Sequence, residues 1–150
     1  MTHQQLWSEY VKSAGIDPAT PYDPWQYGGS DPDGLLRLTL DGVKTATASV
    51  YDMYAIDNNS PLPQNGSYSV ILDSEDNARC VIRTVSVTLC PFNQVTDRQA
   101  YLEGEGDRSL AYWRAAHQEC FTRELREDYG MEFRADMLIV CEEFEVTYRV

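Results

Sequence analysis

Four stretches of the chain carry hydrophobic residues at helical spacing. In residues 3–14 the apolar stripe includes Leu6 and Tyr10, and Gly15 follows as a residue suited to end a helix. A second helix is predicted to begin at Pro32, because proline is favoured in the first helical turn. The predicted helices are residues 3–14, 32–42, 95–102 and 109–129.

Four other stretches alternate between apolar and polar residues, which predicts β-strands. The first of them places hydroxyl-bearing side chains on one face and small apolar side chains on the other. The apolar face suits a packed core, and the hydroxyl face is suited to line a cavity. The predicted strands are residues 45–51, 67–73, 78–89 and 137–148. The proline- and glycine-rich residues 17–29 are interpreted as an ordered loop.

The helices and strands mix without regular βαβ alternation, which predicts an α+β fold. The 150 residues fit one domain spanning 1–150, with enough hydrophobic residues for a single core. The start of the chain lacks the basic and apolar segments of a signal peptide, and no apolar run reaches the length of a membrane span. These features predict a cytoplasmic protein without a membrane partner, and they leave the oligomeric state open.

The net charge of −12 favours a small neutral molecule over a nucleic acid as the binding partner. Proteins that hold nucleic acid by its phosphates need a basic surface, so this charge disfavours RNA unless the arginines are segregated. A small neutral substrate meets no such barrier. The four cysteines are far apart in the sequence and are expected to be small buried hydrophobes.

Lys44 is one of two lysines and lies beside the hydroxyls of Thr45, Thr47 and Ser49. A lysine at the start of a strand is most often a solvated surface charge. A functional role requires burial, where a lysine beside a threonine hydroxyl can assist nucleophilic attack. The sequence therefore makes Lys44 a candidate reaction centre or anion contact.

A second candidate segment is Glu103-Gly104-Glu105-Gly106-Asp107, in which each glutamate is followed by a glycine that permits close approach to a ligand. Most carboxylates in so acidic a chain are solvated, and Asp107 is predicted to cap the next helix. His117 lies on an apolar stripe, where a histidine is usually a hydrogen-bonded core residue. No second histidine lies at ligand spacing and no phosphate-binding glycine loop occurs, so neither a metal nor a cofactor is expected.

Taken in order, four segments resemble the ASCH domain family, in particular its bacterial members of about this length. They are Trp25-Gln26-Tyr27-Gly28, the segment from Asp41 to Ser49, the segment from Glu103 to Leu110, and Trp113-Arg114-x-x-His117. The resemblance covers roughly residue 20 to the C-terminus, with helix 3–14 packed against it. It implies a PUA-like fold, a small β-barrel with flanking helices.

Some members of that family remove the acetyl group from N(4)-acetylcytidine without a metal. The resemblance implies that the catalytic residues are Lys44, Thr47 and Glu103. Lys44 would act either as a base or as a cation that stabilises the oxyanion, and the sequence leaves both roles open. The residues expected to contact substrate are Trp25, Tyr27, Thr45, Ser49, Tyr51, Glu105, Arg108, Trp113, Arg114 and His117.

Two alternatives remain open from the sequence. The chain could be an RNA-binding module or ribonuclease, as other members of the family are described. That function requires several arginines in one groove, and the candidates are Arg79, Arg83, Arg108, Arg114 and Arg134. It could also be a non-catalytic sensor that binds a small ligand without consuming it.

Overall fold

The structure is a computed structural model that describes residues 1–57 and 61–150. The strands are β1 (Asp23–Gln26), β2 (Ala46–Val50), β3 (Tyr68–Leu72), β4 (Ala78–Pro91) and β5 (Leu138–Arg149). The helices are α1 (His3–Ala14), α2 (Pro32–Leu40), α3 (Tyr51–Ile56), α4 (Asp97–Glu103) and α5 (Leu110–Glu124), with a 3₁₀ turn at Phe92–Gln94 and a π-helical turn at Leu125–Tyr129.

The strands form one curled sheet of five strands in the order β1-β3-β4-β5-β2. Strands β1 and β3 are parallel, and the other neighbouring strands described are antiparallel. Helices flank the curled sheet, which confirms the α+β class and the PUA-like fold. None of the helices described is both long enough and apolar enough to cross a membrane.

Helix α1 begins with a capping box, in which Thr2 and Gln5 satisfy each other's free backbone N–H groups. It ends as the sequence predicts, at Gly15 in the left-handed conformation. Its apolar stripe packs against strands β3 and β4, where Val70 and Val81 are buried. This helix covers one face of the sheet.

Helix α5 packs at another part of the sheet. Trp113 and Phe121 from this helix form a core cluster with Val50 at the end of β2 and Ile139 in β5. Because β2 is held between this cluster and its partner β5, the hydroxyl-bearing residues of β2 are fixed relative to α5. That arrangement positions the candidate site.

Two regions of the chain differ most from the sequence prediction. Residues 23–26 form β1 inside the predicted loop, because Asp23–Gln26 gain a partner in β3 that is distant in the sequence. The predicted strand 45–51 is shorter, since β2 ends at Val50 and Tyr51 begins helix α3. A short apolar segment does not by itself specify which of these structures forms.

Candidate active site

A cleft of about 1330 Å³ opens between the sheet and the flanking helices. Its walls come from the segment around β1, from strand β2 and helix α3, from the turn after α4, and from helix α5. Lys44, Thr47, Glu103, Glu105 and His117 all line this cleft. Residues from the two segments singled out in the sequence are therefore brought together.

Lys44 reaches the cleft because of how α2 ends. Gly42 adopts a left-handed conformation, with φ of 77°, and the backbone N–H groups of Val43 and Lys44 both donate to Leu38 O. The chain turns sharply there and enters β2 with the Lys44 side chain directed inward. Only 1% of Lys44 is exposed, so it is not the solvated charge that is usual at a strand start.

Two carboxylates hold the Lys44 ammonium. Nζ donates to Glu103 Oε1 at 3.1 Å and to Glu105 Oε2 at 3.2 Å. An ammonium has three N–H groups, and no third hydrogen-bond acceptor for Nζ is found in the described part of the chain. The third N–H therefore has no hydrogen-bond acceptor among the described residues, and Nζ lies 5.5 Å from the centroid of the Tyr27 ring.

Glu103, the last residue of α4, accepts a hydrogen bond at every site that its carboxylate offers. Oε1 faces Lys44 and His117 Nε2, which lies 3.3 Å away. Oε2 accepts from Gln99 Nε2 at 3.1 Å and from Trp113 Nε1 at 2.5 Å. Burial alone would raise the pKa of Glu103, but the charge of Lys44 and these hydrogen bonds hold it below the ordinary value. Glu103 is thus a fixed anion that positions its neighbours.

His117 is positioned by two acceptors. Nδ1 lies 2.8 Å from Trp113 O, and Nε2 lies 3.3 Å from the Glu103 carboxylate. Since neither oxygen can donate, the geometry favours the imidazolium, which has two N–H groups. Burial lowers the pKa of His117, yet Glu103 and Glu105 outweigh it and raise that pKa above the ordinary value. With His117 protonated, the cluster of two carboxylates and two cations is neutral.

The close approach of the two segments depends on Gly104. Its backbone φ is 72°, and a Cβ atom built on it would lie 2.8 Å from Val43 O. No other residue fits between Glu103 and Glu105 without moving the Lys44 segment. Gly104 thus fixes both carboxylates against Lys44.

We expect Gly104→Ala to lower the free energy of unfolding more than Gly42→Ala does. Both glycines are left-handed, which costs a side chain about 1–2 kcal/mol, but a Cβ at Gly42 has no heavy atom within 4 Å, apart from its chain neighbours. The difference between the two variants, measured by urea unfolding, reports the contact with Val43. Equal losses would show that the turn has room for a Cβ.

The hydroxyl-bearing residues in β2 and directly before it do not all line the cleft. Thr47 and Ser49 line the cleft, whereas Thr45 does not and instead directs its hydroxyl toward Leu102 O at 3.5 Å. Gln99 Nε2 donates to Thr47 O at 3.2 Å and also to Glu103, so one amide ties the strand to the ion cluster. Ser49 shares a 2.7 Å hydrogen bond with Tyr54.

The other residues predicted to contact substrate divide into two groups. Trp25 and Tyr27 line the cleft with their rings in a T-shaped arrangement, 5.0 Å between centroids. Trp113 lies behind the cluster as the donor to Glu103. Five of the predicted contact residues are not among the cleft-lining residues of the described chain: Thr45, Tyr51, Arg108, Trp113 and Arg114. Arg108 donates to Tyr101 O, and Arg114 donates to Asn93 O and Val95 O.

Among the cleft-lining acids that the sequence analysis did not select, Glu142 and Asp23 have clearly shifted pKa values. Glu142 in β5 is 7% exposed and accepts from the buried Thr84 hydroxyl at 2.6 Å. Burial raises the pKa of Glu142, and the charge of Asp23 raises it further. Burial also raises the pKa of Asp23, and there the second cause is the charge of Asp57. Glu142 is two residues from Phe144 in β5 and so lies on the same face of the strand as that apolar residue. This spacing was the feature of the sequence that could have indicated its burial.

A metal ion is a poor fit for the ion cluster. Glu103, Glu105 and His117 place three ligand atoms within 4.8 Å of one another. However, Lys44 already lies between the two carboxylates, and the acceptor sites of Glu103 are all occupied. A cation would have to displace a buried ammonium, so the residues present do not suit a metal centre.

Acidic side chains dominate the rest of the cleft. The carboxylates in its walls are Asp23, Asp31, Asp57, Glu103, Glu105, Glu124 and Glu142. Lys44 and His117 are the basic side chains among the described lining residues, and no arginine is among them. Three of the arginines considered for RNA binding, Arg79, Arg83 and Arg134, pair with acidic neighbours instead.

Comparison with known proteins gives consistent matches over the chain. The family model of the ASCH domain matches residues 23–148. A crystal structure of an ASCH domain from Lactobacillus crispatus JV V101 is 34% identical, with a TM-score of 0.85 over 97% of this chain and 94% of that one. A crystal structure of a protein from Enterococcus faecalis V583 is also 34% identical, with a TM-score of 0.87 over 97% of this chain and 88% of that one. The search of curated protein sequences gave no significant match.

Proposed function

This chain belongs to the ASCH domain family, and we propose that it is a metal-independent amidohydrolase of a small, uncharged modified nucleoside such as N(4)-acetylcytidine. One observation carries the proposal. A fully buried lysine, held by two carboxylates, has an N–H group free to face the same cleft that Thr47 lines. That arrangement combines a nucleophile with a donor for an oxyanion.

The proposed reaction begins with attack by Thr47 on the amide. Its Oγ1 forms a bond to the carbonyl carbon, and the carbonyl electron pair moves to the oxygen, which accepts a hydrogen bond from Lys44. The hydroxyl proton of Thr47 passes to a base in the cleft as this bond forms. The electron pair then returns and the C–N bond breaks, so that the leaving nitrogen takes up that proton and the acyl group remains on Thr47. Water hydrolyses this ester and releases acetate. Glu103 and Glu105 hold Lys44 in place throughout.

This role for Lys44 is that of a cation and not of a base. Two of its N–H groups are engaged by carboxylates, and the geometry leaves the third for the developing negative charge. Glu103 has no free acceptor site with which to take a proton from substrate or water. We therefore propose that Glu103 positions Lys44 and that the proton acceptor lies elsewhere in the cleft.

The charge of the cleft supports a nucleoside over RNA. Phosphates bound there would face a wall of carboxylates without an arginine among the described lining residues. The aromatic pair of Trp25 and Tyr27 offers ring surfaces on which an uncharged base could pack. These observations disfavour the RNA-binding and ribonuclease alternatives.

The test compares two neighbouring threonines. The purified protein is incubated with N(4)-acetylcytidine, and the release of cytidine is followed by chromatography. We expect Thr47→Ala to lose turnover and Thr45→Ala to retain it, because only Thr47 lines the cleft. Equal turnover by both variants would contradict nucleophilic attack by Thr47. Tight binding of the nucleoside by the parent protein without turnover would favour the sensor alternative.

A further inference from the structure

Glu142 is the direct cross-strand partner of Thr47. Strands β2 and β5 are antiparallel, and their register places Thr47 opposite Glu142. Side chains of directly opposite residues lie on the same face of the sheet, with Cβ atoms about 4.5–5.5 Å apart. Both residues line the cleft. The sheet itself therefore holds a carboxylate beside the proposed nucleophile.

From this register and the shared cleft, we propose that Glu142 is the general base that accepts the hydroxyl proton of Thr47. The inference rests on the proposed function for its substrate, and it adds a residue that the sequence analysis did not select. Glu103 cannot take this role because its acceptor sites are filled, whereas the described residues give Glu142 a single hydrogen bond, from Thr84.

Thr84 gives Glu142 the orientation that a base requires. The Thr84 side chain is fully buried in β4 and donates to Glu142 Oε1 at 2.6 Å. One carboxylate oxygen is thus fixed and the other remains for Thr47. Nucleophile, base and orienting donor come from three adjacent strands, an arrangement in which a third group orients the base for the nucleophile.

The groups around Glu142 also favour proton exchange at moderate pH. Burial raises the pKa of Glu142, the Thr84 hydrogen bond lowers it, Asp23 raises it and Lys44 lowers it, and the net direction is upward. Burial raises the pKa of Tyr27 and of Tyr54, and the charge of Glu142 raises both further, so both hydroxyls lie within electrostatic range of this carboxylate. A general base is most effective when its pKa lies near the working pH, so an upward shift from the ordinary value suits this role.

Glu142 accepts and then returns one proton in each half of the proposed reaction. As Thr47 Oγ1 bonds to the carbonyl carbon, its proton passes to the Glu142 carboxylate, and Lys44 stabilises the oxyanion. When the C–N bond breaks, Glu142 returns that proton to the leaving nitrogen. A water then attacks the ester and gives one proton to Glu142, which passes it to Thr47 Oγ1 as acetic acid leaves and releases its remaining proton to solvent. Glu142 ends ionised, as it began.

The experiment compares Glu142→Gln with Glu143→Gln, a neighbour in β5 that forms an exposed pair with Arg98. We expect Glu142→Gln to lower kcat by about 10²–10⁴, and Glu143→Gln to leave it unchanged. In the parent, kcat/KM should fall as the pH drops through the pKa of Glu142. This acid limb should be absent from the residual activity of Glu142→Gln. Equal kcat values for both variants, or an unchanged acid limb, would overturn the proposal.

The thermal stability of Glu142→Gln distinguishes a catalytic role for Glu142 from a structural one. A carboxyl whose folded pKa is raised makes its full contribution to stability below its unfolded pKa and has lost it once the pH has risen through the folded pKa. Glu142→Gln should therefore be at least as stable as the parent at pH 7, measured by thermal unfolding. A large drop in Tm accompanying the loss of activity would indicate a structural role and overturn the proposal.

A second readout does not depend on the nucleoside. The parent, Glu142→Gln and a Thr47→Val blank are treated with p-nitrophenyl acetate, and acetylation of Thr47 is measured by peptide mass spectrometry. Acetylation that requires Glu142 supports this proposal, even where N(4)-acetylcytidine is not hydrolysed and the proposed substrate fails. Acetylation at the same rate in Glu142→Gln, or none in the parent, overturns it.

Discussion

Lys44→Met is expected to lower the free energy of unfolding by about 3–5 kcal/mol, because it leaves buried carboxylates without their cation. Glu103 is 1% exposed and Glu105 is 17% exposed, so water cannot replace the ammonium at Glu103. Turnover of an amide substrate should also fall by about 10²–10³, the usual effect of removing an oxyanion donor. Urea unfolding and single-turnover kinetics measure the two effects.

The chain offers a matched control for this substitution. Lys12 is the other lysine, and it is exposed in the last turn of α1. Lys12→Met should change stability by less than about 1 kcal/mol, the usual effect of a charge on a helix dipole. If Lys44→Met were as stable as Lys12→Met, the buried ion cluster would not contribute to folding. A Lys44→Met/Glu103→Gln double variant should lose less than the sum of the single losses, because the two partners interact directly.

Glu103→Gln is expected to have the second large effect, a loss of about 3–5 kcal/mol at pH 7. An uncharged amide cannot compensate the charge of the Lys44 ammonium. Its NH₂ group would also face hydrogen-bond donors in either orientation, either Gln99 and Trp113 or Lys44 and His117. Glu145→Gln is the control, since Glu145 is 56% exposed in a 3.7 Å pair with Arg83 and should change stability by less than about 1 kcal/mol.

The same residue predicts a dependence of stability on pH. The folded pKa of Glu103 lies below its ordinary value of 4.5. Its contribution is therefore fully present above pH 4.5 and is lost as the pH falls through the lower folded pKa. Stability measured across this acid range should fall more steeply in the parent than in Glu103→Gln. Parallel curves would show that Glu103 is not held as an anion.

The parts of the site that are continuous in sequence were predictable. Lys44 and Thr47 lie within one segment whose glycine turn and alternation indicate a strand start, and the structure places both in the cleft. Glu103 and Lys44 are 59 residues apart, so no periodicity could join them, and only the resemblance to the family did so. The burial of Lys44 likewise depends on the turn at Gly104, whose contact with Val43 is tertiary.

The parts that depend on strand pairing were not predictable. Glu142 becomes the neighbour of Thr47 only through the register of β2 with β5. Its sequence context, a pair of glutamates in a strand, is typical of a solvated edge. Asp23 lies in a segment that forms a strand only because β3 supplies the partner. Registers between distant segments are set by the whole sheet and not by local pattern.

The contact between Trp113 and His117 gives this protein a built-in optical signal. Their rings are stacked with centroids 4.2 Å apart, and the indole N–H is bound to Glu103. A protonated imidazole quenches indole emission at this distance more strongly than a neutral one. With Trp7 and Trp25 replaced by phenylalanine, the fluorescence of the remaining tryptophan would titrate His117 directly. The charge state of the cleft is thus readable in solution without any added label.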